Sequence, residues 1–470
     1  ADWNKATLAK SLLDAEDHPE ARFVSTRVEP VDATHARVHG DLTLRGVTRE
    51  VVLDAMLNAA KRHPMPPFRR TVGFSATTTL SRADFGITYD ADALKLIDDG
   101  YAIGFGDALA LGPHWYYDLD ELRARYGPWI SDYTTPMPDH YHAGMKAGES
   151  SQAGVLLRLT LESLAERGDY DEADFCRRMD EDFFPQIDGV PMHGPGGYTS
   201  QSIREAWRKR IQQGLPWGQV GGNADTTEAA ERTLAIAVRY ALDPAALADA
   251  VTRNTVLTQT DGTVVAMTVA FGAVLGMLVE GHPLDASISA RLMARVKTGA
   301  LPFHTVTSGN LQAPKPGAAE APTAGRFPSP DALLTPSSIA RAARDPDVRI
   351  EPAWKASLVY GMPCAVYHQF PAAYYLAARF ADDFESAVLH AVNGGGQNLA
   401  RAMLTGALVG AQVGLGGIPQ RFIEGLAQSD ALRALVQRAA GQVHAAQGEL
   451  PGGPPPAGDY LDSVILDVQF

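Results

Sequence analysis

The chain has 470 residues, of which 45% are hydrophobic and 20% are charged, as in globular proteins that bury a sizeable core. Two structural units are expected, because single cores rarely grow beyond about 250–300 residues. The 55 acidic residues outnumber the 41 lysines and arginines, which gives a formal charge of −14. This balance excludes a general nucleic-acid binder, because nucleic acid is held mainly by neutralising its phosphates with basic groups.

The sequence offers few signals for cross-linking or membrane insertion. Cys176 and Cys364 are too few for a disulfide framework or a zinc cluster, and each is expected to be a small buried hydrophobe. We identify no run of about 18 apolar residues and therefore predict no membrane-spanning segment.

The first 90 residues have the pattern of β-strands. Residues 36–44 and 50–57 flank a turn at Gly46, and residues 73–81 are rich in threonine. Several such segments with little helical periodicity predict an antiparallel sheet.

Three stretches in this part, HPEARFVSTRVE, HGDLTLRGVTREVVLDAML and GFSATTTLSRADFGI, closely resemble the YceI family of lipocalin-like barrels that bind polyisoprenoid lipids. The family's first strands have no counterpart before Ala1, so a truncation or a remnant is expected in preference to a barrel completed by a second chain. Residues 458–470 resemble the family's final strand. The unpaired edges of an incomplete barrel favour a homo-oligomer.

From residue 95 onward the pattern becomes helical. Apolar residues recur at helical spacing in segments 153–167, 226–242, 245–257, 264–280 and 370–392. Segment 264–280 is apolar nearly all round and is expected to be central. The Pro- and Gly-rich residues 448–457 predict a linker.

The stretch NGGGQNLAR, which begins at Asn393, places three glycines before a small and apolar helix. One interpretation is that backbone N–H groups at the start of this helix bind an anionic ligand. The other is that the glycines only end one helix and let the next one pack closely. Spacing alone leaves both interpretations open.

Three motifs resemble the ADP-ribosylglycohydrolase family, in the branch that includes the J-type crystallins. They are NGGGQNLARAMLTGALVGAQVGLGGIPQRFIEGL, AIGFGDAL from Ala102, and LGPHWYYD with YHAGMKAG from Leu111 and Tyr141. The resemblance runs from about residue 95 to residue 445. It implies a mainly α protein, with a compact all-helical domain at 94–447. A partial antiparallel sheet at 1–93, an incomplete lipocalin-like barrel, is joined by a strand at 458–470.

The resemblance also implies a binuclear Mg²⁺ site, whose carboxylate ligands this sequence does not retain. The family's second acidic motif falls on Gln397, Leu399 and Ala400, and its first on Ser151-Gln152-Ala153-Gly154. Mg²⁺ binds largely through carboxylate oxygens, so we predict no metal ligands and no cofactor.

Four residues are candidates for catalysis. His142 and Glu149 are close in sequence, and such a pair can act as general acid and base, although a solvated loop is an alternative. Asp107 stands in the family's opening helix, where a buried structural hydrogen bond is a rival explanation. Asp261 falls at a junction that faces the family's cleft, or it caps the next helix.

The candidates for ligand binding lie in three clusters. Trp115, beside His114, stacks on a nucleobase or packs in the core. Arg401 could clamp a phosphate or carboxylate bidentately, and the J-type branch tends to have Asn and Arg here. The complete set is His114, Trp115, Tyr141, Lys146, Gly395, Gly396, Gln397, Asn398 and Arg401.

Together these features predict an ADP-ribosylglycohydrolase-like protein with a degenerate metal site. It would bind a small nucleotide-like ligand such as ADP-ribose, or hydrolyse a ribosyl glycosidic bond. The alternative is a catalytically inactive binding or structural scaffold, with lipid binding by the YceI-like part. The compartment stays open, because the helical family is usually cytoplasmic and YceI relatives suggest the periplasm.

Overall fold

The computed structural model describes residues 17–62, 70–78, Phe85, 103–303 and 332–446. Two compact units divide the chain: Ala1–Asp92 with Glu449–Phe470, and Ala93–Gly448. The predicted linker at 448–457 and the predicted strand at 458–470 lie outside the described residues.

The first unit contains a meander of four antiparallel strands in the order β1-β2-β3-β4. The strands are β1 Arg22–Pro30, β2 His35–Leu44, β3 Val47–Arg62 and β4 Arg70–Thr77. Arg45 and Gly46 connect β2 to β3 with φ values of 50° and 72°, which is the two-residue turn whose twist suits a hairpin. The predicted antiparallel sheet and its turn at Gly46 are therefore confirmed.

One face of this sheet forms a small apolar cluster. Leu42 and Phe85 are buried there, and Phe23, Val47 and Val51 pack around them together with Leu44. Within the described part of the chain, β1 and β4 are the two ends of the sheet.

The second unit is helical. Its α-helices, numbered α1 to α16 in chain order, are 103–110, Leu119–Tyr126, Gln152–Arg167, Glu172–Arg178, Gln201–Trp207, Glu228–Arg239, Pro244–Val256, Gly262–Val279, Ile288–Thr298, Thr335–Arg344, Ala356–Tyr360, Val366–Arg379, Phe384–Asn393, Asn398–Val413, Gln420–Gly425 and Ser429–Ala446. The mainly α fold class is confirmed.

Helix α8 lies at the centre of this unit, packed against α6, α7, α12 and α14. It has 18 residues and a mean hydropathy of 2.1, so our sequence reading, which identified no such apolar run, was wrong here. Its most apolar window is 78% buried, as expected for the core helix of a globular domain. This agrees with the predicted central position of segment 264–280.

The predicted helix at 370–392 is interrupted. Helix α12 ends at Arg379 and α13 begins at Phe384. The side chain of Asp383 accepts a hydrogen bond from the Ser386 N–H at 2.9 Å and thereby starts a new helix. Apolar periodicity continued across this break and concealed it.

Two helices in this unit end in a widened π-turn. Met179–Phe183 follows α4, and Arg208–Gln212 follows α5. The two turns meet through Asp180 and Arg210, whose Oδ2 and Nη2 atoms are 2.7 Å apart. The Trp217 indole N–H also donates to Asp180, at 3.0 Å.

Candidate functional site

The three-glycine turn packs tightly against two neighbouring loops. Gly395 and Gly396 have φ values of 63° and 59°, and a Cβ on Gly395 would lie 2.6 Å from the Tyr116 carbonyl oxygen. The Gly396 N–H donates to that carbonyl at 2.8 Å, and the Gln397 N–H donates to the Met362 carbonyl at 2.9 Å. These N–H groups are used within the protein, so the structure favours the close-packing interpretation of the glycines.

Arg401 lies beneath this turn and is fully buried. Its guanidinium donates to the Ala391 carbonyl at 3.0 and 3.1 Å, to the Gly395 carbonyl, and to Gln369 Oε1 at 3.3 Å. Burial lowers its pKa to about 9. Arg401 therefore fastens the turn from inside, and a phosphate could reach it only after the turn had opened.

Asn398 is likewise buried. Its amide nitrogen donates to the Pro113 carbonyl at 3.0 Å and to the Val392 carbonyl at 3.2 Å, while its Oδ1 has no hydrogen-bond partner. It joins the start of α14 to the loop that carries His114.

Asp107 holds the beginning of α3. Its Oδ2 accepts from the Ser151 N–H at 2.9 Å, and its Oδ1 accepts from the Ser151 hydroxyl. Burial raises the pKa of Asp107 to about 6. A Cβ at Gly154 would lie 2.1 Å from Asp107 Oδ2, so this carboxylate also explains the glycine. The arrangement supports the structural hydrogen bond over catalysis.

The residues at the family's metal-ligand positions do not fit a binuclear Mg²⁺ site. Gln152 exchanges two hydrogen bonds with Ser200, at 2.7 and 3.1 Å, and Ser151 is bound to Asp107. Leu399 and Ala400 lie in the apolar core. Within the described ranges, no group of three or more His, Cys, Asp or Glu side chains could hold a metal ion.

His114 and His142 form a buried pair. His114 Nδ1 is 2.7 Å from His142 Nε2, and His114 Nε2 is 2.7 Å from Gln397 Oε1. The other nitrogen of His142 donates to the Gly196 carbonyl at 2.6 Å. Burial lowers the pKa of His142 to about 4 and that of His114 well below its ordinary value.

The expected pairing of His142 with Glu149 is not formed, because both ring nitrogens of His142 are engaged elsewhere. Glu149 Oε2 instead accepts from the Lys146 backbone N–H at 2.9 Å, and Lys146 is exposed. The contact between Lys146 and Glu149 fits the alternative interpretation, in which this segment is a solvated loop.

An aromatic cluster stands beside the histidine pair. The Trp115 ring stacks on His114 at 4.3 Å between ring centres, and it meets the edges of Tyr141 at 4.6 Å and Tyr198 at 4.4 Å. Trp115 has a φ of 64°, fixed in part by its N–H bond to the Gly396 carbonyl at 3.0 Å. Its indole N–H is buried and lies beside the Cys364 thiol. The structure thus brings together His114, Trp115, Tyr141 and His142.

Two carboxyl groups on α6, the part-buried Glu228 and the buried Glu231, were missed by the sequence analysis. Glu228 Oε2 accepts from the Ser202 hydroxyl at 3.0 Å and from the Thr226 hydroxyl, and burial raises the pKa of Glu228. Glu231 accepts from the Thr227 hydroxyl at 2.6 Å. Burial, followed by the charge of Glu228, raises the pKa of Glu231 to about 8.

The carboxyl groups and the aromatic cluster share neighbours. The charge of Glu228 acts on the phenol of Tyr198 and on the thiol of Cys364, and Cys364 in turn lies beside Trp115 and Tyr117. Burial raises the pKa of Cys364 to about 12, which keeps it a thiol. These residues define what we term the aromatic–carboxylate cluster: Trp115, Tyr117, Tyr141, Tyr198, Glu228 and Cys364.

Asp261 caps α8. Its Oδ1 accepts from the N–H groups of Thr263 at 2.8 Å and Val264 at 3.1 Å. The capping alternative accounts for both contacts, and a catalytic role stays a prediction without structural support.

A separate depression of about 660 Å³ is lined by α4, Trp217 and Arg253. Its charged groups are already paired: Arg253 with Glu172 at 3.1 Å, and Arg177 with Glu181 at 2.8 Å. No unmatched charge is left on these pairs to select a ligand.

Comparison with known proteins agrees with this architecture. Residues 101–449 match the ADP-ribosylglycohydrolase family and residues 1–106 match the YceI-like domain. A solved structure described as an ADP-ribosylglycohydrolase-related protein complex aligns with 75% of this chain and 99% of its own, at a TM-score of 0.50 and 18% identity. At that identity the likeness shows the fold alone.

Curated relatives match the YceI-like part. A UPF0312 protein of Pseudomonas savastanoi pv. phaseolicola is 42% identical over 98 residues, which is 21% of this chain and 50% of that protein. One from Pseudomonas putida is 44% identical over 87 residues, or 18% of this chain and 44% of the relative. The chain thus spans about half the length of these relatives. From the family match over residues 101–449 and the helical fold, the chain belongs to the ADP-ribosylglycohydrolase family, and it carries a YceI-like segment at its N-terminus.

Proposed function

We propose that the helical domain binds a ribosyl ligand with a planar base at the aromatic–carboxylate cluster, and that binding requires no divalent metal. The observation that carries this proposal is Trp115, an indole held in a left-handed backbone conformation between His114 and two tyrosines. Such strained residues persist where the surrounding structure fixes them, and they are common at ligand sites.

The chemistry of this cluster suits this ligand class. Stacking on an aromatic ring contributes about 1–3 kcal/mol per base and tolerates different bases. The indole N–H of Trp115 lies beside the Cys364 thiol, a weak acceptor that a ligand oxygen would displace. A ligand oxygen there would give the indole a stronger hydrogen bond.

Hydrolysis is the second candidate function, and Glu228 is the observation that favours it. A carboxyl group with a raised pKa can donate a proton to the leaving atom of a glycosidic bond. The ribosyl bond to the leaving atom breaks, the oxygen of a water molecule bonds to the anomeric carbon, and the proton of that water passes to solvent. The two hydroxyl donors on Oε2 leave Oε1 to carry the transferred proton.

Calorimetric titration with ADP-ribose, in EDTA and then in Mg²⁺, tests the binding proposal. We expect equal affinity in both buffers and a loss of about 5- to 100-fold in Trp115→Ala, from the stacking energy. Trp129→Ala is the matched control, because Trp129 is 39% exposed and packs against His390. Affinity that needs Mg²⁺ would overturn the metal-free proposal. No affinity in either buffer would overturn ligand binding and favour the alternative of an inactive scaffold.

Chromatography of ADP-ribosylated substrates after incubation tests hydrolysis. Glu228→Gln should abolish product release while keeping ADP-ribose affinity within about threefold, because Gln keeps the shape and loses the acidic proton. Product release that persists in Glu228→Gln would exclude Glu228 as the acid. Wild-type protein that binds and releases no product would leave ligand binding as the function.

A further inference from the structure

Three short contacts link Gln397, His114, His142 and Gly196 into one buried chain. The contacts are 2.7 Å from Gln397 to His114, 2.7 Å between the two rings, and 2.6 Å from His142 to the Gly196 carbonyl. Each contact needs one hydrogen atom between its two heavy atoms. The number of hydrogens on the rings therefore decides the charge of the pair.

The Gly196 carbonyl can only accept, so His142 Nδ1 carries a hydrogen. The contact between the rings takes one more. If Gln397 turns its oxygen toward His114, as Oε1 does here, His114 Nε2 must also carry a hydrogen. Two rings then hold three ring hydrogens, and one ring is a cation.

Reversing the amide of Gln397 removes this charge. The oxygen and nitrogen of a glutamine amide exchange places on a half-turn, and their assignment follows from the hydrogen-bond network. In the reversed orientation Gln397 donates to His114 Nε2, His114 Nδ1–H donates to His142 Nε2, and His142 Nδ1–H donates to Gly196. Two ring hydrogens and one amide hydrogen then satisfy all three contacts, and both rings are neutral.

The surroundings decide between these two states. His114 and His142 are 4% and 1% exposed, and a buried charge without a partner is costly. Trp115 stacks on His114, Tyr198 meets His142 edge to face, and the ring of His140 donates to the His114 carbonyl at 2.8 Å. None of the groups that perturb the two rings is a carboxylate, and His140 opposes a positive charge on either ring.

We propose that His114 and His142 form a neutral relay of two Nδ1–H imidazoles, closed by an N–H from Gln397, and that uptake of one proton reverses the Gln397 amide. The relay is a one-proton switch beneath Trp115. Protonation places a cation against the face of the indole, where the ring quadrupole stabilises it. It also adds positive charge beside the aromatic–carboxylate cluster, which favours an anionic ligand there.

The proposal stands independently of the ligand, so the test uses the full chain without one. Histidines labelled with ¹⁵N report which ring nitrogen carries hydrogen, and the two rings are assigned from the signals lost in His114→Gln and His142→Gln. We expect two neutral Nδ1–H rings in the wild type at pH 7.5. An Nε2–H tautomer at His114, or an imidazolium in the pair, would overturn the proposal.

Gln397→Glu tests the proton uptake. A carboxylate at this position can only accept, so the pair must take up a third hydrogen and become one imidazolium at pH 7. Gln397→Met, of similar size and without a donor, should leave both rings neutral. An imidazolium also quenches a stacked indole, so Trp115 fluorescence, measured against Trp115→Phe as the blank, should fall in Gln397→Glu alone. A neutral pair in folded Gln397→Glu would contradict the switch. If that variant does not fold, the ¹⁵N measurement of the wild-type tautomers tests the proposal by itself.

Discussion

The polar groups near the aromatic–carboxylate cluster fall on two sides, which use them differently. On the structural side, Asp107, Arg401 and the glycine turn direct their hydrogen bonds into the protein. On the α6 side, Glu228 has a raised carboxyl pKa, and its charge acts on Tyr198 and Cys364. Trp115 comes from the family motif LGPHWYYD and is the residue that we propose to stack on the ligand, so motif residues serve both sides. Fold and chemistry therefore separate residue by residue.

Removing Arg401 should cause the largest loss in the free energy of unfolding. Arg401→Ala leaves the Ala391 and Gly395 carbonyls and Gln369 without their donor in a dry interior, so we expect a loss of about 3–5 kcal/mol in the free energy of unfolding. Urea unfolding measures this loss. Arg421→Ala, which breaks an exposed ion pair with Glu385, should cost about 1 kcal/mol or less. Equal losses in the two variants would contradict a structural role for Arg401.

Filling the glycine turn should be the next most damaging change. Gly395→Ala sets a Cβ 2.6 Å from a carbonyl oxygen at a positive φ, so we expect a loss of about 2–3 kcal/mol. Gly127→Ala has a φ of 88° with open space around the new Cβ, and it should cost only about 1 kcal/mol. Thermal unfolding of both variants separates the clash from the backbone strain, and similar melting temperatures would show that the turn can yield.

The buried carboxyl group of Glu231 on α6 should make the free energy of unfolding depend on pH. Burial raises the pKa of Glu231 to about 8, so the folded state holds a proton between pH 4.5 and 8 that the unfolded state releases. Stability from this group falls as pH rises through that window. Glu231→Gln should therefore match the wild type at pH 5 and exceed it by about 4 kcal/mol at pH 9, since each pKa unit corresponds to about 1.4 kcal/mol. Urea unfolding at the two pH values measures this gain, and equal stability of the two proteins at pH 9 would contradict a buried proton on Glu231.

The smallest effect concerns Asp261. Asp261→Ala removes a helix cap and should cost about 1 kcal/mol, whereas Asp261→Asn should keep most of the stability. Thermal unfolding and ADP-ribose titration together decide the role of this residue. A stable Asp261→Ala protein with impaired ligand affinity would show that Asp261 takes part in ligand binding.

Sequence reasoning recovered the fold because the features that specify it are local or carried by motifs. Helical periodicity located α3, α7 and α8, and the glycine motif located the turn. It paired His142 with Glu149 because they are near in sequence, whereas the actual partner, His114, lies 28 residues away. No periodicity encodes such a contact.

Glu228 and Glu231 were missed for a different reason. Acidic residues are common in the first turn of a helix because they complement its dipole, so Glu228 and Glu231 were not selected as candidates. The available signal was their place on the same side of the helix as the buried Ala235 and Val238. A charged residue on an apolar stripe marks a site that composition alone conceals.

The paired π-turns after α4 and α5 have an evolutionary consequence. Each widened turn amounts to one extra residue within a helix, and it rotates everything beyond it by about 100°. Asp180 and Arg210 lie within these two turns and meet there. Deleting one residue from either turn would swing one partner away and leave the other unmatched. Such a deletion would therefore persist in a lineage only if the facing turn also changed, and the two insertions should be gained and lost together.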